Sequence, residues 1–136
     1  MLFRSYAGVF TNNQIRAACV DEDRRILKRK KKVRAIVANS GNANACTGKK
    51  GIEAVKETQR IASKLLKIKP DEVLIASTGV IGVELDMKKM ESGLKSTIPN
   101  ISSKGFYNAA QSILTTDKRK KNNYKKNKKL FTNWIC

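Results

Sequence analysis

Two short segments hold the residue types best suited to chemistry, and each follows an apolar run. The first is Ser77-Thr78-Gly79-Val80-Ile81-Gly82. A glycine there lets the backbone turn sharply and lets its N–H face a reacting carbonyl with no side chain in the way. The neighbouring Thr78 hydroxyl supplies a second donor, and two such donors make an oxyanion hole. One donor of that kind contributes about 2.7–4 kcal/mol of transition-state stabilisation. Spacing alone favours a simpler reading, a glycine turn leaving a strand.

The second segment is Asn39-Ser40-Gly41-Asn42-Ala43-Asn44-Ala45-Cys46-Thr47-Gly48, small and polar throughout. It resembles a phosphate-cradling loop only superficially. The P-loop pattern needs four residues between its glycines and Ser or Thr after its Lys. Here six residues separate Gly41 from Gly48, and Lys50 follows Lys49. A tight connection built on Asx turns is the plainer account. The Gly79-Val80-Ile81-Gly82 spacing also matches the backbone clamp of KH-type RNA-binding modules. Two apolar residues between the glycines, and a strand rather than a helix before them, make that a weak match. Thr115-Thr116-Asp117 closes a helical pattern and is non-specific by itself.

The chain contains no histidine. Ser-His-Asp and Cys-His catalysis are therefore excluded within these residues, along with His-containing zinc sites and the usual neutral-pH general base. Cys19, Cys46 and Cys136 are odd in number and widely spaced, so no disulfide framework is expected. Cys46 reads as a small packing residue. No metal and no bound cofactor are expected.

The elements that must position these segments follow from apolar spacing. Residues 6–10 and 14–20 read as two strands, arranged as a hairpin about the polar cluster Thr11-Asn12-Asn13. Residues 24–32 then form a basic linker. Residues 33–38 predict a buried strand ending in turn chemistry at Asn39-Ser40-Gly41-Asn42. After Gly51, residues 52–67 predict an amphipathic helix with Ile52, Val55, Ile61, Leu65 and Leu66 near one face, ended by Pro70. Val73-Leu74-Ile75-Ala76 predicts a second buried strand. Further helices are expected over 87–96 and 102–114, the latter capped by Ser102 or Ser103, with a turn at Pro99-Asn100. Alternation of strand and helix favours an α/β arrangement.

The 136 residues carry a net charge of +18, and the excess is uneven. Segment 118–129 holds eight Lys or Arg and no acid; without it the net charge falls to +10. Segment 24–32 holds seven more basic residues. Such runs usually mark solvated segments and bind nucleic acid non-specifically. Aromatic residues are too sparse for a stacking platform. No run of about 18 apolar residues is present, so no transmembrane helix is expected. The N-terminus lacks the layout of a signal peptide, which makes the cytosol the expected location.

Taken in order, several segments strongly resemble the N-terminal half of ornithine acetyltransferases, also called bifunctional glutamate N-acetyltransferases. They are Gly8-Val9-Phe10-Thr11-Asn12-Asn13, Arg34 through Gly48, Val73 through Gly82, and Ala109-Ala110 through Thr115-Thr116-Asp117. The resemblance covers residues 6–117, and residues 118–136 read as an unrelated, disordered Lys/Asn-rich tail. It implies acetyl transfer from N-acetylornithine to glutamate, with acetyl-CoA as donor in some members. Family precursors cut themselves into α and β chains that assemble as two of each. The new N-terminal Thr of the β chain is the nucleophile, and its own amino group can serve as base. That suits a chain without histidine.

The resemblance implies that Thr78 and Gly79 are the oxyanion-hole pair, that Thr115 contacts substrate, and that Asn39–Gly48 braces the site. It implies the family's self-processing α/β fold, here incomplete. The family's Ala-Thr-Met-Leu cleavage motif occurs nowhere in these residues. The expectation is therefore a frameshifted or truncated α chain, inactive alone and aggregation-prone or only partly folded through uncovered apolar surface. The alternatives are a basic nucleic-acid-binding protein and a non-functional truncated remnant.

Overall fold

A computed structural model of the chain describes residues 7–29, 32–102 and 105–113. At its centre is a β–α–β unit. Strand β1 (Ala35–Asn42) and strand β2 (Val73–Val80) pair in parallel, from Ala35 opposite Val73 to Asn42 opposite Val80. Parallel strands need a long crossover, and helix α2 (Gly48–Leu66) supplies it. Helix α1 (Ala18–Lys28) precedes the unit, and α3 (Met87–Thr97) and α4 (Phe106–Ser112) follow it. The expected α/β alternation is therefore present from β1 onward.

The expected N-terminal hairpin is not. No strand occurs between residues 7 and 17, and the last three residues of the second candidate strand, with most of the basic linker, lie in α1. Cys19, Val20, Asp23 and Ile26 recur at helical spacing and are all buried. Acidic residues follow early in the helix and basic ones late, which suits the helix dipole. The Arg25 guanidinium donates to Glu22 one turn back, at 2.5 and 2.8 Å. A short apolar run before a charged stretch is thus the first turn of an amphipathic helix.

The strands also run further than their apolar residues. Asn39–Asn42 and Ser77–Val80 are paired strand, not turns. The strand β1 alternates in burial instead of being covered throughout. The helix α2 starts at Gly48, so Gly51 lies inside it. It ends at Lys67, whose φ of +54° closes a left-handed cap, and not at Pro70. The Ile68 N–H reaches back to the Ser63 carbonyl at 3.0 Å, as such caps require. Asp86 caps α3, accepting from the N–H groups of Lys88 and Lys89. The last helix is shorter than expected and begins after Gly105, with no side-chain cap.

The core is one layer between the sheet and the helices. Cys19, Val20, Val55, Ile61, Ala62, Val73, Ile75 and Leu94 form it, with Val37, Ala35, Met87 and Met90 against its rim. The Gln59 amide donates to the Val73 carbonyl at 3.0 Å, tying the middle of α2 to the start of β2. The other sheet face is less covered, with Ile36 41% exposed and Val80 58% exposed. Leu114, Thr115, Thr116, Asp117 and the segment 118–136 lie outside the described residues.

Candidate active site

The two polar segments singled out from the sequence meet at the C-terminal ends of the paired strands. Register places Asn39 opposite Ser77, Ser40 opposite Thr78, and Gly41 opposite Gly79. Strand alternation turns Asn39 and Ser77 toward the helices, while Ser40 and Thr78 point to the opposite, more open face. The Ser77 hydroxyl donates to Asn39 Oδ1 at 2.6 Å, locking the register just before Thr78.

At the next pair the backbones close up. Gly79 has φ of +133° and Gly41 φ of +103°, conformations that residues with a Cβ rarely adopt. A Cβ on Gly79 would lie 2.5 Å from the Asn42 nitrogen and 2.6 Å from the Gly41 oxygen. That space is filled by backbone, which cannot swing aside. Gly79 is therefore a point of close strand approach inside β2 and not the start of a turn; the chain bends only at residues 81–82.

The Asn39–Gly48 segment is a hydrogen-bonded brace. Asn39 Nδ2 donates to the Asn42 carbonyl at 2.8 Å, and Asn42 Oδ1 accepts from the Asn44 N–H at 2.7 Å. Asn42 Nδ2 reaches the Val83 and Glu84 carbonyls beyond β2. The buried Asn44 side chain donates to the Gly51 carbonyl at 3.0 Å and accepts from the Thr47 hydroxyl at 2.9 Å. Gly82 N–H donates to the Ala45 carbonyl at 2.9 Å, which ties the loop to the exit of β2. The Asx-turn reading of this loop holds for its Asn42–Ala45 half. Cys46, expected to pack, is instead exposed, with φ of +58°.

Sequence reasoning misses what lies behind the site. Asp23 of α1 is fully buried and accepts the Ile75 N–H at 3.1 Å, two residues before Ser77. Its second oxygen has no hydrogen-bond partner among the described residues. Burial, reinforced by the nearby Glu22 charge, pushes its carboxyl up to about 7 against the pull of the Ile75 N–H. Cys19, one turn earlier, is buried with its sulfur against Ser77, and burial raises its thiol as well. The one sequence signal is a carboxylate on the apolar stripe of a helix, in a stretch whose composition suggests strand and linker.

Among the described residues no group of His, Cys, Asp and Glu is arranged to hold a metal ion. No helix is long and apolar enough to cross a membrane. An open groove of about 420 Å³ lies between the start of α2 and residues 84–87, lined by Lys50, Glu53, Glu57 and Glu84 among others. Thr78 and Gly79 do not line it. The Lys50 ammonium pairs with Glu84 across it at 2.7 Å.

Residues 3–133 match the model of the ArgJ family. The arginine biosynthesis bifunctional protein ArgJ of Caldanaerobacter subterraneus is 48% identical over 111 residues, which are 82% of this chain and 27% of that protein. The glutamate N-acetyltransferase of Methanocaldococcus jannaschii is 46% identical over 117 residues, 85% of this chain and 29% of that protein. The crystal structure of Mycobacterium tuberculosis ornithine acetyltransferase with ornithine superposes with a TM-score of 0.80 at 36% identity. It covers 84% of this chain and 62% of that one. The Bacillus halodurans ArgJ structure gives a TM-score of 0.74 at 32% identity, over 85% and 60%. The chain thus spans little more than a quarter of the length of the curated relatives it matches. The family match over nearly all of its residues, with two solved folds of the same kind, means that this chain belongs to the ArgJ family.

Proposed function

We propose that this chain forms the N-terminal part of a cytosolic enzyme that transfers acetyl from N-acetylornithine, or from acetyl-CoA, to glutamate. The observation that carries the reading is the Thr78–Gly79 pair. It sits at the C-terminal end of a strand with its register fixed on both sides, by Ser77 to Asn39 and by the closure of Gly79 on Gly41. Ligand sites in α/β sheets gather at that end of the strands.

In the proposed mechanism a threonine hydroxyl attacks the acetyl carbonyl of N-acetylornithine. The Thr78 hydroxyl and Gly79 N–H donate to the developing oxyanion. Collapse breaks the C–N bond, the amine takes a proton, and ornithine leaves an acetyl-threonine ester. The glutamate amine then attacks that ester through the same oxyanion, giving N-acetylglutamate and the free threonine. The nucleophile, in the family an N-terminal threonine whose own amine serves as base, is not supplied by an Ala-Thr-Met segment of these residues. Thr115 lies outside the described residues and is assigned a substrate contact by family likeness alone.

The proposal is tested by assaying acetyl transfer from N-acetylornithine to glutamate. The chain is used alone and mixed with a β segment that begins at the nucleophilic threonine, the two assembling as a family-like α2β2 tetramer. Activity in the mixture only is the expected result. An assembled mixture with no activity overturns the assignment of Thr78 and Gly79.

A further inference from the structure

The end of the sheet opposite Thr78 and Gly79 gathers cations from three stretches of sequence, 25–29, 32–34 and 64–69. The short turn Pro70–Glu72 is the hub. Asp71 draws the end of α1 onto it through Arg25 at 3.9 Å and Arg29 at 3.5 Å. The Glu72 carbonyl accepts the Arg34 N–H at 2.8 Å, and its carboxylate lies 3.8 Å from the Arg34 guanidinium, which fixes the start of β1. Glu72 also accepts the Lys69 N–H at 3.0 Å, placing the segment that leaves α2.

The acids at this end are therefore already engaged. Among the described residues, the ion pairs of Arg25, Lys28, Arg29, Lys32, Arg34, Lys64, Lys67 and Lys69 are with Glu22, Asp71 and Glu72 alone. Lys28, Lys32, Lys64, Lys67 and Lys69 are all exposed, and none has an ion-pair partner among the described residues. The C-terminal ends of α1 and α2 both lie beside this turn and offset the charge by about half a unit each. A clear positive excess remains.

We propose that this end of the molecule is a docking surface for the phosphodiester backbone of duplex nucleic acid, separate from the acetyl-transfer site. The free cations are lysines, compact point charges that neutralise phosphates without demanding a fixed geometry. Among the described residues the aromatic ring near α1 is Phe10, already covered by the Arg24 guanidinium, 6.0 Å from its centroid. The described residues offer single-strand stacking no platform there. Near this end the exposed large apolar side chains are Ile36 and Leu65, 41% and 37% exposed, each with a cation close by in sequence. Val80, Ile81 and Val83, at 52–64%, lie at the opposite end, so charge and not apolar insertion dominates here. The predicted contact reads backbone and not sequence.

The test uses the full chain, residues 118–136 included, and two triple variants that remove the same charge. One is Lys28→Gln/Lys64→Gln/Lys69→Gln at the basic end. The other is Lys49→Gln/Lys56→Gln/Lys88→Gln, exposed positions elsewhere. Affinity for a labelled duplex DNA is measured across a salt series. The basic-end variant should bind more weakly and flatten the slope of log K against log salt by about three, roughly one for each phosphate no longer neutralised. The control should keep most of the original slope. Equal losses in both would mean that net charge and residues 118–129 do the binding, and would overturn the surface. So would end-dependent binding to anionic phospholipid vesicles with none to DNA.

Discussion

Gly41 and Gly79 face each other as register partners across the two-stranded sheet, both at positive φ, and a Cβ on Gly79 would enter the backbone of Gly41 and Asn42. The reverse is not true. A Cβ on Gly41 meets nothing within 4 Å. Gly41→Ala should therefore cost only the backbone strain of its φ, about 1–3 kcal/mol. Gly79→Ala should cost clearly more, because the clash is with backbone. Urea unfolding of the two variants checks this, and equal midpoints would show that the closure is not tight.

Asp23 makes stability depend on pH. Its carboxyl titrates near 7 when folded against an ordinary value of 3.8, so the folded chain holds a proton that the unfolded chain releases. Its contribution is fully present below 3.8 and is lost as pH rises toward 7. Between those values stability should fall by up to about 1.4 kcal/mol per pH unit from this group. Asp23→Asn keeps an acceptor for the Ile75 N–H and should flatten the profile, as read from unfolding midpoints between pH 4 and 8.

Ser77→Ala removes the hydroxyl that donates to Asn39 Oδ1 and leaves that part-buried oxygen with one partner fewer. A loss of about 1 kcal/mol is expected. Because the bond fixes register just before Thr78, hydrogen exchange of the Thr78 and Gly79 amides should also quicken, whereas those at Val73 and Leu74 should not.

Thr78→Val removes one proposed oxyanion donor while keeping the shape of the side chain. In the complemented acetyl-transfer assay it should lower kcat by about 10²–10³ and leave the urea midpoint near that of the parent. A parallel fall in stability would assign Thr78 a structural role instead.

The central unit is legible because its residues are locally consistent. The spacing of Val55, Ile61 and Ala62 specifies an amphipathic helix, and the runs before Asn39 and Ser77 specify strands. The family segments are legible for a different reason. Glycines, asparagines and Thr78 stand there in an order that no general packing rule demands.

The first element is not legible. Ala17-Ala18-Cys19-Val20 is short and apolar, and only its docking on α2 and β2 shows that it opens a helix. The ends of the strands are hidden for a related reason. Asn39, Ser40, Ser77 and Thr78 have turn-like side chains, yet each strand supplies the other with the partners that keep it extended.

The sequence by itself determined the β–α–β order, the family and the candidate pair Thr78–Gly79, since these depend on residue type and spacing along the chain. Only the tertiary structure decided three things: that Gly79 closes on Gly41, that Asp23 is buried under β2, and that the cations of α1, α2 and β1 share one end. Each depends on residues about 40 or more apart in sequence that pairing and packing bring within a few ångströms.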